Sequence, residues 1–238
     1  MISFIVPAYN EEQLIGRTLE VLTRSARAAG EPFELIVVDD DSTDRTAEVA
    51  QAGGARVVEV KAHHIAAVRN AGAREARGEI LIFVDADTLV PEATLRAALR
   101  ALRGGAAGGG AWVRIEGPVP RAVRLAARLF ARVWFGLCRW AAGCFIFVRR
   151  DAFEAVGGFD ERYYVGEELY FSRALKRLGH FAMLRAAVVS SGRKARLYAP
   201  RHVLRTALAL LLRGPRMWRD RDGLDMWYDG WREGGERR

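Results

Sequence analysis

Two aspartates, Asp85 and Asp87, directly follow an apolar run from Ile80 to Val84 that is typical of a buried strand in a parallel sheet. Side chains at positions i and i+2 of an extended chain point to the same side, and two neighbouring carboxylates repel each other unless a cation or a proton lies between them. A divalent metal bound by hard oxygen ligands would remove this repulsion. A strand-ending acidic turn with both carboxylates in water would do so as well, and the segment alone leaves both interpretations open.

Predicted strands and helices alternate through the first half of the chain. This order predicts an α/β fold with a mostly parallel, doubly wound central sheet, helices on both faces and right-handed crossovers. Ligands bind to such sheets at the carboxyl ends of the strands. The predicted elements are strands at residues 2–6, 33–38, 56–60 and 80–84, and helices that begin at Glu11, Asp44, Ala66 and Pro91.

Polar clusters follow three of these strands, at residues 9–11, 39–41 and 85–87. Because the strands are predicted to be parallel, the clusters should meet on one rim of the sheet and form a single site. The chain has neither the G-x-G-x-x-G fingerprint of dinucleotide-binding folds nor the G-x-x-x-x-G-K-[ST] loop of phosphate-loop NTPases. These two common functions of doubly wound sheets are therefore set aside.

The net charge of +8 is unevenly distributed, with −4 in residues 1–110 and +12 in residues 111–238. The two cysteines, Cys138 and Cys144, have no further cysteine and no nearby histidine with which to form a zinc site. No N-terminal signal peptide is visible, so a reduced, cytoplasmic compartment is the expectation.

Six segments resemble, in order, the successive signatures of family 2 glycosyltransferases, and the resemblance extends over residues 2–195. It implies the GT-A fold, a Rossmann-like three-layer sandwich, as a single catalytic domain over residues 1–200. The nucleotide-sugar-binding half would be residues 1–104 and the acceptor half residues 105–200, followed by a C-terminal amphipathic helix and tail at 201–238. The six segments are residues 7–12, 37–44, 67–72, 85–87, 157–161 and 166–171.

The resemblance implies that Asp87 binds Mg2+ or Mn2+ and that Asp85 contacts the metal or the ribose, as in the family's D-x-D motif. Asp40 would contact the nucleotide base, and Arg69 the nucleotide or its phosphates. For Arg69 the alternative is a solvated helix face, and Asp44 or Ser42 would cap a helix. The residues assigned to nucleotide-sugar binding are Pro7, Ala8, Tyr9, Asn10, Glu11, Asp40, Arg69, Asp85, Ala86 and Arg193.

The catalytic assignment is Glu168, together with Glu167. By the resemblance, the pair matches a Glu-Asp pair whose aspartate acts as the base that takes the acceptor's proton. Glu168 departs from that pattern because its carboxylate is one methylene further from the backbone. The alternative is that both glutamates only favour the dipole of a helix over residues 169–178.

Arg193 lies in the segment 190–194, which follows a strand-like run and is a candidate clamp for a diphosphate, with an ordinary surface loop as the alternative. Four arginines at helical spacing, Arg121, Arg124, Arg128 and Arg132, indicate either a helix on an anionic membrane surface or a solvated helix face. A second basic amphipathic stretch at 201–213 has an apolar run too short to span a bilayer. His202 is a weak candidate for a metal ligand, and His63 and His64 have no assigned role.

The sequence thus predicts a metal-assisted, inverting transfer of a sugar from a nucleotide-diphosphate donor, with a UDP-sugar as the leading donor. The acceptor would carry a hydroxyl group and be lipid-linked in one interpretation, with the protein on the cytoplasmic face of the membrane. No nucleic-acid partner is expected. The alternative is a weakly active or inactive sugar-nucleotide-binding protein on the same scaffold, motivated by the glutamate at the position of the base.

Overall fold

The computed structural model describes residues 1–117, 132–191, 193, 218 and 219. It contains strands β1 (Ile2–Ala8), β2 (Phe33–Asp40), β3 (Arg56–Val60), β4 (Ile80–Val84), β5 (Thr88–Leu89), β6 (Gly108–Glu116), β7 (Phe145–Arg149) and β8 (Phe181–Ser191). The helices are α1 (Ile15–Ala29), α2 (Thr46–Ala52), α3 (Ile65–Glu75), α4 (Glu92–Arg103), α5 (Arg150–Val156) and α6 (Glu167–Leu178), with a π-helical turn at Arg132–Leu137.

The strands of the described residues form one sheet in the order β3-β2-β1-β4-β7-β6-β8-β5. The first four strands are parallel, which confirms the predicted α/β class and the doubly wound first half. In the second half β7 is antiparallel to both β4 and β6, whereas β8 is parallel to β6. The parallel half brings the carboxyl ends of β1, β2 and β4 to one rim, where the acidic clusters were predicted to meet.

Helices cover both faces of the sheet because side chains along each strand alternate between two buried clusters. From β1, Phe4 faces the cluster that includes Leu19 of α1 and Leu95 of α4. Ile5 faces the opposite cluster, which includes Val68 of α3. This arrangement is the predicted three-layer sandwich, and its core extends through both halves of the described chain.

Helix α3 packs unusually close to the sheet at Gly72. A Cβ atom at this position would lie 2.8 Å from Val38 Cγ2 and would also overlap Ile5. Glycine is therefore required by the close approach of helix and strand rather than by a special backbone angle. This packing sets the height of α3 above the strand ends and so the position of Arg69, one turn earlier.

Several element boundaries differ from the prediction: β1 and β2 each end two residues later, at Ala8 and Asp40, and α2 begins two residues later, at Thr46. Helix α1 begins at Ile15 rather than Glu11, because the Glu11 amide donates a hydrogen bond to Thr46 Oγ1 at 2.7 Å and residues 12–14 form a turn. Helix α6 begins at Glu167, after Gly166 with φ 78°. Ser190 and Ser191, predicted to lie in a loop, are the last residues of β8.

Over the described ranges 1–117 and 132–191, no helix combines the length and the apolar character needed to cross a bilayer. Several predictions concern residues outside those that the structure describes: the basic stretch at 121–131, the amphipathic helix predicted at 201–213 with His202, and all but two residues of the tail.

Candidate functional site

A cleft of about 540 Å³ lies at the carboxyl ends of the parallel strands. Of the thirteen residues that the sequence assigns to the site, twelve line this cleft, and Asn10 is the exception. Residues from both halves of the described chain contribute to its walls. The lining comprises Pro7, Ala8, Tyr9, Glu11, Asp40, His63, His64, Ile65, Val68, Arg69, Asp85, Ala86, Asp87, Gly143, Cys144, Tyr164, Val165, Glu167, Glu168 and Arg193.

Arg69 joins the two sides of the cleft. Its guanidinium donates to a carboxylate oxygen of Glu167, to Asp85 Oδ1 at 3.2 Å and to the Gly143 carbonyl at 2.9 Å. It also lies 5.3 Å above the ring of Phe159. Arg69 is only 2% exposed, so the alternative of a solvated helix-face arginine is wrong. The guanidinium therefore connects Glu167, the neighbour of Glu168, to Asp85, the first acid of the D-x-D segment.

Glu167 and Glu168 occupy the first turn of α6. Glu167 is 4% exposed and is neutralised by Arg69. Burial, together with the neighbouring Glu167 carboxylate, raises the pKa of Glu168 to about 8. A carboxyl group with its pKa near neutrality can accept and release a proton under physiological conditions, which is the property required of a general acid or base.

Asp87 is hydrogen-bonded to Ser191, the last residue of β8. Its carboxylate accepts a hydrogen bond from the Ser191 hydroxyl, and its backbone carbonyl accepts from the Ser191 amide at 3.1 Å. Arg193 Nη2 lies 3.9 Å from Asp87 Oδ2. The same guanidinium forms a bidentate pair with Glu11, at 2.7 and 2.8 Å. Arg193 therefore lies beside the D-x-D carboxylates, and its burial (6% exposed) is inconsistent with an ordinary surface-loop residue.

Asp40 supports the wall of the cleft that follows β3. One oxygen, Oδ1, accepts from the backbone amides of Ala62 at 2.7 Å and His63 at 3.0 Å. Asn10 supports a neighbouring loop: its Oδ1 accepts from the Thr43 amide at 2.8 Å. Asn10 thus fixes the loop after β1 instead of lining the cleft.

Several motif residues outside the cleft have structural partners. Asn70 Nδ2 donates to the Phe159 carbonyl at 2.9 Å, and its Oδ1 accepts from the Phe159 amide at 2.9 Å, which ties α3 to the Gly-Gly-Phe-Asp-Glu segment. Asp44 Oδ1 accepts from the Thr46 amide at 2.9 Å, as expected for a residue that stabilises the start of α2. These contacts give Asn70 and Asp44 structural roles that require no ligand.

The acidic lining suits a divalent cation. The described residues that line the cleft include six carboxylic acids and only two arginines, and both arginines are paired with carboxylates. No group of three or more His, Cys, Asp or Glu side chains able to bind a metal occurs within the described residues. Mg2+ is commonly bound by one or two carboxylates together with phosphate oxygens of the substrate, and Asp85 with Asp87 matches that donor set.

Eight residues of the cleft had no role assigned from the sequence, and two of them, His64 and Tyr164, are in contact with each other. The His64 ring lies 4.4 Å from the ring of Tyr164. Both of its ring nitrogens are buried and have no hydrogen-bond partner within the described residues. The signal in the sequence was the position of His64 two residues before the helix predicted from Ala66 at the ligand-binding rim.

The fold and the cleft together define the class of protein. Parallel strands lead into the cleft, which has a D-x-D segment on one side and the acidic start of a helix on the other. This is the GT-A nucleotide-diphospho-sugar transferase fold. Two solved structures are similar in fold. The mannosyltransferase PcManGT from Pyrobaculum calidifontis, in complex with GDP-Man and Mn2+, superposes with a TM-score of 0.66 at 24% identity, over 89% of this chain and 61% of that one. S. aureus TarS in complex with UDP-GlcNAc gives a TM-score of 0.62 at 20% identity, over 94% of this chain and 69% of that one.

The chain belongs to glycosyl transferase family 2, whose sequence model matches residues 3–157. A validoxylamine A glucosyltransferase from Streptomyces hygroscopicus is 35% identical over 110 residues, which are 44% of this chain and 24% of that protein. An undecaprenyl-phosphate 4-deoxy-4-formamido-L-arabinose transferase from Pseudomonas paraeruginosa is 36% identical over 100 residues, 38% of this chain and 29% of that protein. These alignments thus span less than a third of the length of either relative.

Proposed function

We propose that the protein is a glycosyltransferase that transfers a sugar from a nucleotide-diphosphate donor to a hydroxyl acceptor with inversion. The observation that carries the proposal is the convergence of the D-x-D acids and a carboxyl group of raised pKa on one cleft. Family membership supports the same class of reaction. In this proposal residues 1–104 bind the nucleotide sugar and residues 105–200 contribute the acceptor side.

Glu168 would be the general base. As the acceptor oxygen forms its bond to the anomeric carbon, its proton passes to the Glu168 carboxylate, and the bond from that carbon to the diphosphate oxygen breaks. The nucleoside diphosphate leaves with the bonding electrons. The raised pKa of about 8 supports this role, because proton transfer is most efficient when the pKa of the base is near the working pH.

The donor diphosphate would lie beside Asp85 and Asp87. These carboxylates would hold Mg2+ or Mn2+, which when bound supplies Lewis-acid stabilisation of the negative charge that develops on the leaving group. Arg193 is the second candidate for the diphosphate, because its guanidinium is 3.9 Å from Asp87. To reach a phosphate it would share or exchange its present contact with Glu11.

Arg69 would be a positioning residue, since its guanidinium is already occupied by Glu167, Asp85 and a backbone carbonyl. It holds the first acid of the D-x-D segment and the neighbour of the base in one hydrogen-bonded unit. A planar guanidinium with donors in a fixed fork is suited to this task and a lysine is not.

A UDP-sugar is the leading donor, by the match of Asp40 to the acid that contacts a uracil-type base in the family. A lipid-linked acceptor is supported by the relatives whose names include undecaprenyl phosphate. Exposed apolar side chains also support a lipid-linked acceptor. Leu137 is 80% exposed and Val133 is 50% exposed on the π-helical turn that begins at Arg132. An exposed apolar and basic segment of this kind favours peripheral contact with an anionic membrane.

Release of nucleoside diphosphate tests the proposal. Purified protein would be incubated with UDP-glucose, UDP-GlcNAc or GDP-mannose and Mn2+, with and without a lipid-phosphate or hydroxyl acceptor. Asp87→Ala and Glu168→Gln should each lose activity, by about 10²-fold or more for removal of the base. Glu154→Gln, an exposed glutamate of α5, is the matched control and should retain it.

The alternative function is that of a protein that binds sugar nucleotides without catalysing transfer. The observation that favours it is Glu168, a glutamate at the position where the family has an aspartate as the base. This alternative predicts that donor binds to the wild type and that no nucleoside diphosphate is released under any acceptor condition. If Asp87→Ala and Glu168→Gln released nucleotide as fast as the wild type, the assigned site would be wrong even though the protein is an enzyme.

A further inference from the structure

Helix α6 begins with the proposed base, and little within its own segment fixes that first turn. Glu167 and Glu168 are its first two residues, and Gly166 before them has φ 78°. Glycine has no side chain with which to cap a helix, and it gives the backbone more conformational freedom than any other residue. The direction in which the Glu168 carboxyl group points therefore depends on contacts from other parts of the chain.

Trp218, from the C-terminal part of the chain, packs on the residues that flank the two glutamates. Its backbone carbonyl accepts a hydrogen bond from the Tyr164 amide at 2.8 Å. Its indole lies against Gly166, where a Cβ atom would be only 3.2 Å from Trp218 Cε3. The same indole meets the ring of Tyr170 edge to face, with the ring centroids 6.1 Å apart. Trp218 thus contacts both the segment that leads into α6 and the first turn that follows the glutamates.

Arg219 extends this contact to a second residue of the same segment. Its Nη2 atom donates a hydrogen bond to the Tyr163 hydroxyl at 2.9 Å, and its guanidinium lies 5.0 Å from the centre of the Tyr163 ring. Tyr163 is buried and stacks on Tyr170, with the ring centroids 3.9 Å apart and 15° between the planes. Two consecutive residues, Trp218 and Arg219, therefore hold the start of α6 through its tyrosines and its glycine.

Trp218 makes these contacts from outside the cleft. It is not among the described residues that line the cleft, whereas Tyr164 and Glu168 are. The ring of Tyr164 lies 4.4 Å from the buried ring of His64, so the hydrogen bond between its amide and Trp218 supports a wall of the cleft as well as the start of α6. Any effect of Trp218 on the reaction must therefore pass through these neighbours.

We propose that Trp218 and Arg219 are positioning residues for Glu168, which hold the segment 163–166 so that the carboxyl group of the base reaches the acceptor. This inference rests on the proposed function, in which Glu168 takes the acceptor's proton. A general base must lie within hydrogen-bond distance of the proton that it removes, and a displacement of about 1 Å can cost about 10²-fold in rate. Loss of the indole frees the backbone around Gly166, so it should slow proton transfer without weakening the binding of the donor.

Four variants of the full chain test this role in the assay for release of nucleoside diphosphate. Trp218→Ala removes the indole and keeps the backbone carbonyl, whereas Trp218→Phe keeps an aromatic ring on Gly166. Arg219→Met removes the donor to Tyr163 at an exposed position. The control is Phe33→Ala, which removes a partly buried aromatic ring at the first residue of β2, at the end of the sheet opposite the cleft.

The kcat of Trp218→Ala should fall about 10- to 100-fold, whereas its KM for the donor should stay within about twofold of the wild-type value. Trp218→Phe should recover most of the kcat, and Arg219→Met should show a smaller loss. Phe33→Ala should lower the Tm and leave the kcat unchanged. Combined with Glu168→Gln, Trp218→Ala should cause little further loss, because the indole acts through the carboxyl group that is no longer present.

Three results would overturn the positioning role alone: a wild-type kcat in Trp218→Ala, an equal loss of kcat in Phe33→Ala, or full additivity with Glu168→Gln. If Trp218→Ala does not fold, Arg219→Met decides, since a lower kcat at unchanged KM supports the role and an unchanged kcat overturns it. A wild type that releases no nucleoside diphosphate under any acceptor condition would overturn the proposed function and this inference together.

Discussion

Replacement of Glu168 by glutamine separates what this carboxyl group does for catalysis from what it costs in stability. In the folded protein its pKa is raised from 4.5 to about 8, first by burial and then by the Glu167 carboxylate. The folded state therefore favours the protonated form. At pH 7 only about one tenth of the molecules would carry the ionised base before donor binds.

The sign of the effect on stability follows from proton binding. Between pH 4.5 and about 8 the unfolded chain has lost the Glu168 proton and the folded chain keeps it, so stability falls as the pH rises through this window and levels off above the folded pKa. Glutamine has no charge to bury. Glu168→Gln should match the wild type near pH 4.5 and become more stable than it by about 1–3 kcal/mol near pH 8, a figure discounted from the full shift because the side chain is partly exposed.

Two measurements check this reasoning. Thermal unfolding of both proteins from pH 4.5 to pH 9 should show a growing difference in Tm, at about 2–4 °C per kcal/mol for a chain of this size. The kcat/KM of the wild type should rise with pH and level off near the pKa of the free base, whereas that of Glu168→Gln should be low and flat. Equal Tm values at pH 8, with the Glu154→Gln control behaving like both, would refute the assignment of a buried, raised-pKa carboxyl group.

Three further changes have outcomes that the structure defines. Arg69→Met leaves the Glu167 carboxylate buried without its partner and should lower the free energy of unfolding by about 3–5 kcal/mol, seen in denaturant melts; a loss below 1 kcal/mol would contradict the buried ion pair. Asp87→Ala should abolish the extra thermal stabilisation that UDP gains from Mn2+, and it should lower the Tm without ligand by about 2–4 °C because the hydrogen bond from Ser191 is lost. Retention of the Mn2+ effect would exclude Asp87 as a ligand. Gly72→Val would overlap Ile5 and Val38, so we expect the free energy of unfolding to fall by at least about 1–3 kcal/mol, together with lower activity through displacement of Arg69; stability equal to that of the wild type in denaturant melts would contradict the close packing of α3.

Elements with strong local signals were predictable. Strands β3 and β4 have the predicted bounds, 56–60 and 80–84, and α4 spans the residues from Glu92 to Arg103 that its pattern predicts. Strand β1 continues through Pro7 to Ala8, past its predicted end at residue 6. The first residue of α1 was harder to predict from the sequence. The acidic pair at residues 11 and 12 looks like a helix start, but their amide groups donate to Thr46, the first residue of α2, and to Asp44 in the loop before it.

The location of the site was also predictable, whereas the partners of its residues were not. A parallel sheet brings the residues at the ends of β1, β2 and β4 to one rim whatever the details of packing, and eight of the twelve assigned residues that line the cleft come from these strand ends. The other four come from α3, from α6 and from the segment after β8. Arg69 was expected to face the nucleotide because of the family resemblance, and its neighbours in sequence show only that it lies on a helix. Its actual partners, Glu167 and Asp85, are 98 and 16 positions away along the chain.

The sequence by itself determined the α/β class, the rim that carries the site and the residue types available there, because periodicity and strand order are local properties of the chain. Only the tertiary structure decided how those residues are used. The raised pKa of Glu168, the pairing of Glu11 with Arg193 across 182 positions and the unpaired imidazole of His64 all depend on burial and on contacts between distant segments. Burial and long-range distances arise when the sheet and helices pack together, and no local pattern encodes them.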